Sequence, residues 1–248
     1  MLNKLPKSFH ISKRRELLQN TKADLIVLPA NGQIQMSLDQ SYDFVQESNF
    51  YYLTGLNIAD LILVMTNSES FLILPEVNHY MEVFDGELDL KEIKNTSGIT
   101  KLYSHEKGLE KLKELVNKTK QLHTLFAEDE KLKTYGITAL PFRSNLIKLL
   151  KSFNKKIKLV DIEIQLARMR MIKSDEEIKL ISKASKIIKD SINIIKCNRD
   201  VVIRIIIFFS IIGWINNIKI RFKNRSNENI INIIGQKHQG KQSKDDTN

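Results

Sequence analysis

The residue types that could do chemistry are a nucleophile with an organised base, or carboxylates and histidines grouped around a metal ion. The chain has one cysteine, Cys197, and no histidine is organised around it in the sequence. The serines fall in caps and turns, so nucleophilic catalysis finds no support. His79, His105 and His123 show no metal-ligand spacing and are expected at the surface or as hydrogen-bonded core residues. From Cys197 onward the candidate ligands are Asp200, Glu228, His238, Asp245 and Asp246. They are isolated or sit in a polar tail, so the residues predict no catalytic group and no metal site. "NGQIQ" and "SGIT" are turns, not phosphate-cradling loops.

The elements that would position any chemistry fit within 248 residues, enough for one large or two small domains. A lone cysteine rules out a disulfide within the chain and fits a reducing compartment. The opening "MLNKLPKSFHISKRRELLQN" has no apolar run of signal-peptide length, which gives the expectation of a mature cytoplasmic start. The net charge is +10, and half of it lies in the last 52 residues. The remaining excess is lysine scattered over helix surfaces, a solvated face. With no zinc-finger spacing, aromatic-basic signature or heptad zipper, no specific nucleic-acid partner is expected.

The first hundred residues read as strands after one opening helix, "ISKRRELLQN". "ADLIVLPA" is a buried strand closed by a turn. "LILVMT" (61–66) and "SFLILP" (70–75) form a hairpin around a short polar turn. Their continuous apolar character predicts strands covered on both faces. Helix and strand then alternate. Residues 105–118 are a helix with Leu109, Leu112, Leu115 and Val116 at helical spacing, and 121–128 a strand. The stretch 139–153 is helical after Pro141 with Leu146, Leu149, Leu150 and Phe153 inward, and 156–162 is a strand. The predicted class is α/β, a mixed β-sheet flanked by helices, followed by a long helix and an irregular tail.

That long helix follows a short one, "IEIQLARMR". Ser174 and Glu177 have capping-box spacing, and Asp175, Glu176 and Glu177 complement the positive end of the helix dipole. Ile178, Ile181, Ile188, Ile192 and Ile195 form one stripe, with Leu180, Ile187 and Ile194 beside it. So much apolar surface predicts packing against a large sheet.

Two stretches carry a family resemblance. "YDFVQESNFYYLTGLNIADLILVM" (42–65), with "HYMEVFDG" (79–86) after it, resembles the N-terminal domain of aminopeptidase P, the Xaa-Pro aminopeptidases. "LARMRMIKSDEEIKLISKASKI" (166–187) resembles the junction where that domain meets the catalytic domain. The catalytic domain has the pita-bread fold shared by prolidase, creatinase and methionine aminopeptidase. The resemblance covers roughly residues 10–196 and implies a creatinase/prolidase-like N-terminal domain over 1–160. It implies the incomplete start of a metallopeptidase domain over 161–196. Family members often carry Arg where Val45 stands and Trp where Phe84 stands. The latter position can line the substrate pocket, which makes Phe84 a substrate-pocket candidate beside its reading as a core residue.

In the whole family the resemblance implies removal of the N-terminal residue preceding proline. Two metal ions, typically manganese, are held by two Asp, one His and two Glu, with a bridging water as nucleophile. It also implies a homo-oligomer formed through the N-terminal domain. Those ligands would lie well beyond the long helix, so this chain is expected to carry no metal cofactor and to be inactive alone. The alternative is a non-catalytic interaction or assembly module of the same superfamily. Residues 197–248 hold 13 Ile and 8 Asn, and helical periodicity dissolves there. The composition points to truncation or a frameshift near Cys197; a divergent extension is the other reading. An apolar run from Ile205 to Ile215 falls short of the ~20 residues of a membrane span. It leaves interfacial contact through 201–215 as the only membrane option.

Overall fold

The computed structural model describes residues 5–38, 40–76, 86–127 and 140–197, together with Ser210. The chain divides into two compact units, Met1–Leu180 and Ile181–Asn248.

The first unit is built on a mixed sheet of six strands. Helix α1 (Lys7–Thr21) leads into β1 (Leu25–Pro29), a small outlying hairpin β2 (Gln35–Ser37) and β3 (Gln40–Ser41), and helix α2 (Ser48–Thr54). Strands β4 (Ile62–Thr66) and β5 (Ser70–Ile73) follow, then α3 (Leu90–Ser97), β6 (Lys101–Tyr103), α4 (His105–Lys118) and β7 (Gln121–Thr124). Helix α5 (Pro141–Phe153), β8 (Lys158–Asp161), α6 (Glu163–Met171) and α7 (Asp175–Cys197) complete the order. The sheet order is β6-β5-β4-β1-β7-β8. β4 runs antiparallel to β1 and β5, while β1–β7, β5–β6 and β7–β8 are parallel.

Alternation along the strands sorts the core into two layers. Ile26, Leu28, Leu63, Met65 and Leu72 join Phe9, Leu17, Phe50, Leu53 and Leu166 from α1, α2 and α6. Leu25, Val27, Val64, Phe71 and Ile73 join Leu112, Val116, Leu146 and Leu150 from α4 and α5. Every residue of β1 is therefore buried, as the unbroken apolar run predicts for a strand covered on both sides.

One expectation is corrected. The first hundred residues are not all strand after the opening helix, because α2 and α3 are helices. Glu47 caps α2 by accepting from the Phe50 N–H at 2.6 Å, and Asp89 caps α3 by accepting from Lys91 and Glu92. Along α7, the isoleucines of the predicted stripe are partly exposed. Ile181, Ile188 and Ile194 are 51%, 60% and 62% exposed. Both faces of the six-stranded sheet are covered by helices of the first unit. Among the described residues no helix is long and apolar enough to cross a membrane.

Candidate functional site

The residues that converge are those of the two stretches singled out by resemblance, more than a hundred positions apart in sequence. Arg170, near the end of α6, donates from Nη1 to Ser48 Oγ at 3.0 Å and Asn49 Oδ1 at 2.8 Å. The Tyr52 hydroxyl donates to the Met169 carbonyl at 3.3 Å. Both contacts tie α2 to the last turn of α6.

Beneath them lies a buried charge pair. Glu47 Oε1 accepts from Arg143 Nη2 at 2.9 Å and from Asn49 Nδ2 at 3.1 Å. Arg143 Nη1 donates to the Phe126 carbonyl at 3.1 Å and lies 3.7 Å from Glu163 Oε2 at the start of α6. The Glu47 and Arg143 side chains are 6% and 7% exposed, so this pair is out of water. Arg143 Nε is buried without a partner among the described residues. The chain of contacts Glu163–Arg143–Glu47–Asn49–Arg170 thus begins and ends on α6 and passes through α5 and the α2 cap.

Gln46 completes the support. Its Oε1 accepts from the Asn31 and Glu47 amides, both at 2.9 Å, and its Nε2 donates to the Ile58 carbonyl at 2.8 Å. One side chain therefore joins the segment after β1 to both flanks of α2. On the α1 side, His10 Nδ1 donates to the Tyr52 carbonyl at 2.9 Å. Burial pushes the His10 imidazole below its ordinary value and the Tyr52 phenol above its own, with Lys13 pulling the phenol back.

Above this network is an open recess of about 490 Å³, walled by Gln46, Ser48, Tyr51 and Tyr52 on one side and Arg170 and Lys173 on the other. Ser174 and Glu177 at its edge form the expected capping box. The Glu177 amide donates to Ser174 Oγ at 3.4 Å and the Ser174 amide to Glu177 Oε2 at 3.0 Å. The arrangement ties α2 to the end of α6 and offers positive charge beside two tyrosines. It brings no nucleophile and base together.

The other candidates separate. Val45 is 73% exposed, and its carbonyl accepts from Asn31 Nδ2 at 2.9 Å. Phe84, His79 and the stretch 201–215, Ser210 apart, lie outside the described residues. His123 is buried in β7, with Nε2 3.4 Å from Gln121 Nε2 and Nδ1 unpartnered among the described residues. His105 is half-buried. Among the described residues no group of three or more His, Cys, Asp or Glu is placed to hold a metal ion, so these residues do not fit the dinuclear centre that the resemblance implies.

Sequence reasoning missed Glu47, Arg143 and His10. Arg143 had a readable signal: it shares a helix face with Leu146 and Leu150, three and seven positions on, so its charge was bound to need a buried partner.

Comparison with known proteins places the fold. Residues 10–126 match the family model for the aminopeptidase P N-terminal domain. Xaa-Pro aminopeptidase 3 of Dictyostelium discoideum is 30% identical over 183 residues, covering 71% of this chain and 33% of that protein. An aminopeptidase P structure from Bacillus anthracis superposes with a TM-score of 0.61 at 24% identity, over 72% of this chain and 43% of that one. A variant of Escherichia coli aminopeptidase P gives 0.60 at 18% identity, over 74% and 43%. The chain spans about a third of the curated relative and about two fifths of these structures.

Proposed function

Because this chain belongs to the aminopeptidase P family through its N-terminal domain, we propose that it is the non-catalytic part of an Xaa-Pro aminopeptidase-type protein. In this reading its task is to hold the α6–α7 junction in a fixed geometry, and the 248 residues do not hydrolyse Xaa-Pro bonds by themselves. The observation that carries the reading is the contact between Arg170 and Ser48–Asn49, which ties the two family stretches together beside the capped start of α7.

The reaction of whole relatives, removal of a residue before proline, needs a Lewis acid and an activated water because a prolyl amide has no N–H for ordinary peptidase contacts. Manganese held by carboxylates and a histidine supplies that chemistry in the family. The described residues provide positioning and no such donor set. The test is an assay of the purified chain with Mn²⁺ and an Xaa-Pro peptide. No released amino acid above the metal-only background is expected; metal-dependent turnover would overturn the reading.

A second reading has its own observation. The half-exposed isoleucines of α7 favour an interaction module whose partner covers them. Sedimentation of the chain beside an Ile181→Lys, Ile188→Lys variant distinguishes the two, since association through α7 is lost in the variant and association through the N-terminal domain is not.

A further inference from the structure

We propose that the recess bounded by α1, the β4–β5 turn and the segment entering β6 is a binding site for a phosphate-bearing small molecule. It is separate from the recess beside Arg170 and does not depend on the peptidase reading.

The recess has a volume of about 470 Å³, within the ~300–1,000 Å³ usual for small-ligand sites. Arg14 lines it and is only 4% exposed. Its guanidinium is locked by two carbonyls, Nη1 donating to Leu53 O at 2.6 Å and Nη2 to Ser97 O at 2.8 Å. These carbonyls lie at the C-terminal ends of α2 and α3, whose partial negative charges anchor the cation. The anchoring uses two of its N–H bonds; the rest of the fork has no protein acceptor among the described residues.

No carboxylate among the described residues pairs with Arg14. Its charged neighbour is Arg15, and burial together with that second guanidinium lowers Arg14 to about 10, still fully charged at neutral pH. Lys101 adds a third cation to the lining. Glu69 is the lone acid of the lining, and it is already held by Lys101 and, at 2.7 Å, by Lys111. The recess therefore presents more positive charge than the protein neutralises. Asn67, Ser70 and Thr100 add polar groups to the lining, and their side chains have no partner among the described residues.

A rigid guanidinium with free N–H groups, a second guanidinium and an ammonium match the bidentate, charge-assisted recognition of a phosphate dianion. The volume exceeds what an inorganic ion fills, which favours a phosphomonoester.

The test is calorimetric titration of the full chain with phosphoserine and with inorganic phosphate, against sodium chloride at matched ionic strength. Saturable binding is expected, weakened about tenfold by Arg15→Gln and by Lys101→Gln. Lys148→Gln, outside the lining of the recess, is expected to bind like the unmodified chain. Both rim variants replace exposed side chains, and unchanged circular dichroism confirms that they fold. Tighter binding of phosphoserine assigns a phosphomonoester, and equal or tighter binding of phosphate assigns the free ion. Heat from chloride equal to that from phosphate, or rim variants that bind unchanged, would overturn the proposal.

Discussion

At the scale of single residues the account turns on Glu47 and Arg143. Breaking a buried pair leaves one charge uncompensated, which costs about 3–5 kcal/mol. Arg143→Met is therefore expected to lower unfolding free energy by that amount in urea titration, whereas the double replacement Arg143→Met with Glu47→Gln loses less because no lone charge remains. Gly55 is a second point of stress: at φ 70° it ends α2, and a Cβ there would lie 2.5 Å from His10 Nε2. Gly55→Ala is expected to destabilise by about 1–3 kcal/mol, combining left-handed strain with displacement of His10. The buried imidazoles give a pH prediction. Burial holds His10 and His123 below their ordinary value in the folded state, so the unfolded chain takes up protons first on acidification. Stability is full above the unfolded value and is lost as pH falls below it. The urea midpoint should drop between about pH 7 and pH 5, and His10→Gln should flatten part of that drop. These partnerships are not legible in the sequence, because pairs such as Glu47 and Arg143 are joined only by tertiary packing.

At the scale of elements, legibility follows length and periodicity. The helices at 105–118 and 141–153 carry regular apolar spacing and stand where the pattern puts them. The central hairpin of β4 and β5 is equally legible from its apolar runs and polar turn. Helix α2 is not, since Phe50, Tyr51, Tyr52 and Thr54 favour strands and helicity there depends on the Glu47 cap and on burial. Helix α3 is short and polar, and its readable signals are the Asp89 cap and the glycine, Gly98, that ends it. The Ser174–Glu177 box stands as its spacing predicts. Ser174→Ala should cost the start of α7 about 1 kcal/mol, visible as faster hydrogen exchange at the first amides of that helix.

At the scale of the whole chain, the sequence supports a mixed sheet but does not order it. Parallel partners such as β7 and β8 are separated by a helix, and no local pattern fixes which strand lies beside which. The family stretches are legible as motifs, yet their meeting through Arg170 emerges only in three dimensions. In the proposed reading, the chain positions a helix junction and does not itself assemble a dinuclear metal centre. The measurement that tests it most directly is Mn²⁺ binding, followed by electron paramagnetic resonance on the purified, folded chain. A free-ion signal that tracks added metal without a stoichiometric plateau is expected. Two manganese ions bound per chain, with loss of the free-ion signal up to that ratio, would contradict it.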